Sequence, residues 1–386
     1  MAIALALVSA GPWFFWGNFY HALFGFLFVA FRLPIIRTKF SSDITPILFW
    51  YVLFTFFVSK FLVDPPEESF RKFLGTMLPF LFPILFYKSE RKLFLKGLTD
   101  IFTWMAFIGL IGFAIKIFFV DLPYTEIENK NPFYPNFKNY YFFILLYDLG
   151  FMSRFHGMLT EPGHMGMFCA LLLYVNGYTW KNWKNVVLTL SLIWSFSLAG
   201  YVLYLVGLLL YKLATTKSIT KTVIKIVGVL ALLVGGGILY YSPTNDDLVS
   251  VAILSRLALD DKKGISGNNR NTASFTTQYE QFRKSEDYMC GMSTKKYNKA
   301  FDGTANSSYK VFIMLNGILS FICLIGFILA NNYVYPSKIS LGFSLLIILS
   351  FFQRPYFLWE IQSFIFMCFV PLCYNKNKRK FLRNSF

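Results

Sequence analysis

The sequence predicts an all-α polytopic membrane protein, and three observations carry the prediction. Of the 386 residues, 56% are hydrophobic and 20% aromatic. Only 15% are charged, where a soluble domain carries about 25%. Apolar runs of roughly 20 residues recur, each long enough to cross about 30 Å of hydrocarbon. Lys and Arg cluster in the short segments between these runs, the pattern of cytoplasmic loops. The net charge of +17 is therefore a matter of topology. No basic-aromatic nucleic-acid module is present, and no nucleic-acid partner is expected.

The elements follow in order. Residues 3–31 form the first apolar region, interrupted by Gly11-Pro12 and Gly17. It reads as one bent span or a short hairpin. Val8-Ser9-Ala10 has the small residues of a cleavage site, but no basic residue precedes it, so no cleaved leader is expected. Arg32, Arg37 and Lys39 mark a cytoplasmic loop. Residues 44–63 span outward to the acidic turn Asp64-Pro65-Pro66-Glu67-Glu68. Residues 70–87 return to Lys88, Arg91, Lys92 and Lys96, and residues 97–120 lead out again. Residues 121–160 form a mixed external segment, polar and Pro/Asn-rich at first. Its second half, 140–152, is too short to span and contains Asp148. It reads as a re-entrant or interfacial helix, permitted where protein or water covers the backbone.

A helix starting near Pro162 returns to Lys181 and Lys184. Residues 186–211 lie between basic clusters, with Lys212, Lys217, Lys221 and Lys225 following. Two helices meeting near Ser195–Gly200 keep both clusters inside. Residues 222–241 exit to the long polar segment 242–309, a large external loop with helical patches around 276–288. Residues 311–330 return, 339–352 go out, 353–360 make an external turn and 361–374 come back to a basic tail. The count is about 11–12 helices in a single transmembrane domain covering 1–386, with the C-terminus inside. Cys169, Cys323, Cys368 and Cys373 lie in apolar runs and Cys290 is alone in the polar loop, so neither a disulfide framework nor a metal-ligand spacing emerges.

The chemistry concentrates in Arg154–Gly166, which holds a cation, a carboxylate and two of the three histidines. Thr160 or Glu161 can cap a helix with Pro162 at its first position. The exposed amides and positive dipole end of that helix would form an anion site. Glu161 and His164 share one face, and a His near a helix N-terminus is biased toward the neutral, proton-accepting form. The plainer reading is a capped helix start with interfacial polar residues. His156, Glu161 and His164 match no trusted zinc spacing, so no metal is assigned. Arg354, in the last external turn, suits a phosphate at the interface, although arginines there also snorkel. Arg256, Arg270 and, more weakly, Arg283 are the other external candidates. Ser197 lies in the small-residue turn 195–200, which serves either a polar cavity or close helix packing.

The order of these features resembles the O-antigen polymerase and ligase superfamily, over roughly residues 97–365. The resemblance rests on Arg154-x-x-Gly157-x-x-x-Glu161-Pro162, Ser195-x-Ser197-x-x-Gly200, and Gly267-Asn-Asn-Arg270 in the large loop. Asn306 ahead of Gly317-Ile-Leu-Ser-Phe-Ile322 and Arg354 in the last external turn complete it. Glu161-Pro162, and the lack of His in 242–309, look more like a repeat-unit polymerase than a ligase. The resemblance implies a GT-C-like membrane glycosyltransferase in a bacterial cytoplasmic membrane, its site facing outward. Such an enzyme needs no cofactor or metal and polymerises polyprenyl-diphosphate-linked oligosaccharide units into a surface polysaccharide. It implies Arg154, Arg270 and Arg354 on the diphosphate, with Arg256 and Ser197 as further binding candidates. Glu161 is the first candidate base, ahead of His164 and His156. A chain-length regulator and a flippase are the implied companions. Ligase-type transfer and transport of lipid-linked glycan are the alternatives.

Overall fold

The structure is a computed structural model. It describes residues 2–10, 12, 44–74, 80–118, 122–128, 136–141, 143–146, 154–216, 228, 259–260, 264–265, 273–300, 309–353 and 356–374. The chain is mostly helical and divides into two compact units. One comprises Met1–Gly11, Phe15–Leu98 and Ala273–Phe386, the other Pro12–Phe14 and Thr99–Thr272. Among the described residues three helices are long and apolar enough to cross a membrane: Lys88–Phe118, Leu198–Thr215 and Tyr309–Val334.

The first unit holds α1 (Ala2–Ser9), α2 (Thr45–Val58), α3 (Pro66–Lys72) and α4 (Leu81–Leu85), then the first turns of α5 (Lys88–Phe118). The basic cluster at 88–96 was expected to be a loop. It is the first part of α5 instead. Glu90 accepts from the Tyr87 amide at 2.7 Å, half of a capping box. Arg91 is buried and donates to the Pro83 and Ile84 carbonyls at the end of α4, so the cation is satisfied without a break in the helix.

The packing partner of α2 is the long helix Tyr309–Val334, numbered α12 after the intervening elements given below. Phe54 stacks on Phe327 at 6.4 Å between ring centroids. A Cβ at Gly326 would lie 2.4 Å from the Trp50 ring, so the glycine is what lets the indole lie against this helix. The helix is broken at Gly317, whose φ of 81° is left-handed. The polar segment ahead of it folds as α9 (Ala273–Arg283), α10 (Asp287–Cys290) and α11 (Thr294–Ala300). The loop between α10 and α11 fits into the break. The Met292 amide donates to the Met314 carbonyl at 2.9 Å, and a Cβ at Gly317 would meet the Met289 carbonyl at 2.2 Å.

That loop is also held from the α2–α3 turn. Lys60 donates to the Met292 carbonyl at 2.8 Å. Asp64, buried, takes the Thr294 amide at 3.1 Å and hydroxyl at 2.9 Å and an ion pair from Lys72. Burial would raise the Asp64 carboxyl, but the bonds from Lys72 and Thr294 and the Lys60 charge outweigh it and hold it below its ordinary value. The unit closes with α13 (Lys338–Gln353), a 3₁₀ turn at Tyr356–Leu358 and α14 (Glu360–Leu372). These agree with the apolar runs read at 339–352 and 361–374. The Ile361 amide reaches Ser9 at 2.9 Å and so ties α14 to α1.

In the second unit α5 continues to Phe118. The segment read as a re-entrant helix is not helical where it is described. Strands β1 (Thr125–Glu128), β2 (Asn136–Asn139) and β3 (Leu145–Leu146) form an antiparallel sheet in that order. Thr125 pairs with Asn139 and Lys138 with Leu146. Alternation drives this: Phe137 is fully buried beside an exposed Asn136. Tyr141 and Phe143 take φ of 61° and 60°, values a continuing helix does not allow.

The unit's core is α6 (Pro162–Val175), flanked by α7 (Trp183–Trp194) and α8 (Leu198–Thr215). The break between α7 and α8 at residues 195–197 agrees with the two-helix reading of 186–211. Helix α6 is apolar on every side and buried on nearly every side, as such a helix must be. It was expected to run on to Lys181. It stops at Val175, because Gly177 (φ 72°) donates to Tyr174 and Tyr178 to Leu173, the bond pattern of a Schellman cap. Its 14 residues reach only about 21 Å, short of a full span. Strands β4 (Leu259–Asp260) and β5 (Gly264–Ile265) pair antiparallel.

Helices α6 and α8 cross at two glycines. A Cβ on Gly200 would stand 2.8 Å from the Gly166 Cα, and one on Gly166 would stand 2.8 Å from the Ser197 Cβ. Overpacking a core costs about 1–3 kcal/mol, so Gly166→Ala and Gly200→Ala each lower the midpoint of thermal unfolding in detergent. Gly163→Ala, whose Cβ would meet nothing closer than 4.0 Å, leaves it near wild type. In the first unit, Asp64→Asn loosens the 291–294 loop, and limited proteolysis then cuts within 273–300 faster than in the wild type.

Candidate functional site

Residues 154–160 enter α6 pinned on both flanks. The Leu145 amide of β3 donates to the Gly157 carbonyl at 2.9 Å, and the Phe155 amide donates to the Trp194 carbonyl at 2.9 Å. Arg154, half-buried, donates from Nε to the Ser195 carbonyl at 3.1 Å and from an Nη to the Phe196 carbonyl. Residues 154 and 155 thus satisfy three successive carbonyls at the C-terminal end of α7, where the helix dipole favours a cation. Gly157 turns the chain with φ of 59°. The Phe155 ring sits against α5, where a Cβ on Gly109 would approach it to 3.2 Å.

Glu161 is the N-cap residue of α6 by its extended backbone (φ −140°, ψ 143°), with Pro162 behind it, but its carboxylate makes no capping bond. Its carbonyl takes the His164 amide at 3.1 Å and the Met165 amide at 3.4 Å. Pro162 stands at the first helical position as the sequence predicts, where it brings no N–H. Thr160 pairs through its hydroxyl with His164 Nδ1 at 3.2 Å, so the threonine orients a histidine instead of capping the helix. His164 is buried at the start of α6.

His156 is buried, and its Nδ1 has no hydrogen-bond partner. Burial first, then the charges of Arg154 and His164, push its pKa down to about 3; Glu161 pulls the other way. Arg154, Glu161 and His164 are thus close enough for their charges to act on His156. Arg154, Glu161 and His164 form one electrostatic cluster with the neutral His156 imidazole.

The remaining candidates fall elsewhere. Ser197 is the N-cap of α8, accepting from the Gly200 amide at 3.2 Å, and it packs at the Gly166 crossing. Arg256, Arg270 and Arg354 lie outside the described residues. Arg283 is exposed and pairs with Glu280 at 3.1 Å. Among the described residues no three His, Cys, Asp or Glu side chains form a metal-holding group. Residues 194–196 were missed as partners of the cluster. Their signal was the end of α7 at Trp194, which exposes carbonyls to whichever cation lies nearby. No family model, curated protein or solved structure matches this chain.

A buried neutral imidazole makes the fold acid-sensitive. With the folded pKa near 3 and an unfolded value of about 6.5, the unfolded chain binds the proton first as pH falls. Stability is then complete above about pH 6.5 and drops by about 2 kcal/mol between pH 7 and 5. His156→Gln, which cannot titrate, removes this component. Denaturant unfolding in detergent at pH 7, 6 and 5 measures the two slopes.

Proposed function

We propose that this chain is a membrane glycosyltransferase that polymerises polyprenyl-diphosphate-linked oligosaccharide units, acting at the outer face of a bacterial cytoplasmic membrane. The observation that carries the reading is the cluster of Arg154, His156, Glu161 and His164 at the start of a buried helix in a chain with membrane-length apolar helices. Ionisable side chains held beside apolar helices are costly and tend to serve function.

In this reading a sugar hydroxyl on the incoming unit attacks the anomeric carbon of the growing glycan. The carbon–oxygen bond to the diphosphate breaks, its electron pair leaves with the diphosphate, and the hydroxyl proton passes to a base. Glu161 is that base. It stands at the N-cap position of α6, and its charge reaches His156. His164, aligned by Thr160, steadies the attacking hydroxyl. His156, pushed down to about 3, is too weak a base at neutral pH and serves to position its neighbours. Arg154 offsets charge growing on the departing diphosphate.

Reconstituted protein given a purified lipid-linked repeat unit is expected to build a ladder of polymer. Glu161→Gln should lower that rate by about 10²–10⁴ with little change in donor KM, and near-wild-type polymerisation by this variant removes Glu161 as the base. Transfer of single units to a second lipid acceptor indicates a ligase. Transbilayer movement of the unit without any new glycosidic bond indicates a transporter.

A further inference from the structure

The second unit contains a groove whose lining includes none of the motif residues. It lies between α5 and α7, with a volume of about 520 Å³. Its walls run from Phe107 to Phe118 on α5 and from Trp183 to Trp194 on α7, and every lining side chain is apolar. Two tryptophans bridge the helices at its ends. Trp183 meets Trp104 and Phe107 at 5.0 and 6.1 Å between ring centroids. Trp194 meets Phe113 and Phe118 at 6.0 and 6.3 Å. Phe113 and Val187 are buried in the floor, while Ile111 and Leu190 stand exposed at the rim. The result is an apolar trough with a tryptophan at each end.

Its length and lining select the occupant. Each wall covers eleven helical steps, about 16 Å, and presents only apolar side chains, which suits an apolar chain lying along it. A non-helical peptide would leave its backbone unsatisfied against apolar walls. A single hydrocarbon chain fits. The Trp194 end adjoins the polar cluster, because Arg154 is bonded to the carbonyls of the next two residues, Ser195 and Phe196. The floor also touches it, with the Phe113 ring 5.4 Å from that of Phe155. Beyond the Trp183 end lie Lys181 and Lys184, the latter paired with Asp100.

We propose that this groove seats the head-proximal part of the donor's polyprenyl chain, with the diphosphate at the Arg154 end and the tail leading toward Trp183. The proposal rests on the reading of the Arg154 cluster as a site for lipid-linked glycan. It adds where the lipid lies and which way it points.

The test uses the full chain in nanodiscs with geranylgeranyl diphosphate bearing a photoreactive diazirine at the tail terminus. Crosslinks are expected at Phe107 and Trp183, and excess phosphatidylglycerol leaves them unchanged. Leu190→Trp and Ala114→Trp fill the trough and each lower labelling by about tenfold; circular dichroism melts identify which of the two retains the fold. Labelling abolished by phosphatidylglycerol means a general lipid seat and overturns the proposal. Labelling at the Trp194 end, or labelling indifferent to both substitutions, overturns it as well. Polymerisation separates the two readings. Groove labelling in a protein that never joins repeat units leaves the seat standing and removes the transferase. Full-rate polymerisation by a folded Leu190→Trp variant removes the seat and leaves the transferase.

Discussion

The second unit depends on burying one short helix on all sides. Helix α6 exposes almost nothing, so its neighbours must come close, and at Gly166 and Gly200 α8 does so glycine against glycine. The same burial sets the chemistry at its N-terminus. The chain must approach the helix through apolar surroundings, and every polar group on the way has to be matched. Backbone bonds from Leu145 and Phe155, and the Arg154 guanidinium on two carbonyls, accomplish this. His156 is accommodated by losing its charge. A segment held this way is constrained on both flanks, which is what the proposed transfer would require of a positioning site.

Arg154 shows how structural and chemical roles coincide. A guanidinium has five N–H donors in a fixed fork. Nε and one Nη donor go to the Ser195 and Phe196 carbonyls. Lysine could supply the charge but not both bonds in that geometry. The residue therefore fixes the α7–α8 turn and brings positive charge to the cluster at once. Its effect on activity has to be separated from its effect on folding.

Much of the helical layout was legible because long apolar runs bounded by charge leave little choice in a membrane. The runs at 339–352 and 361–374 and the break at 195–197 agree with the structure for that reason. So does the helix start at Pro162, where the missing N–H and fixed φ dictate the position. The misreadings have local causes. The basic run at 88–96 looked like a loop because the Arg91 partners, two carbonyls of α4, are invisible in a pattern. Residues 140–152 read as a re-entrant or interfacial helix because the run is apolar, while within its described part the backbone takes positive φ at Tyr141 and Phe143, residue types that do not announce such turns. The early end of α6 was legible in Asn176-Gly177 but was outweighed by the apolar run around it. Within the site, the grouping of Arg154, His156, Glu161 and His164 followed from their proximity in sequence. The neutral state of His156 did not, because it arises from burial by residues far along the chain.

The break at Gly317 bears on how this protein can be cut or rebuilt. The end of α10 and the loop after it, residues 289–292, occupy the gap in α12, and the Met292 amide donates to the Met314 carbonyl. The polar segment is thus a keystone of the first unit, although its composition suggests an appendage. Replacing 273–300 with a flexible tether would leave an uncovered carbonyl and a void within an apolar helix. A minimal version of this protein cannot be made by trimming its most hydrophilic stretch. Chimaeras with other membrane proteins should exchange α12 and the 273–300 segment together.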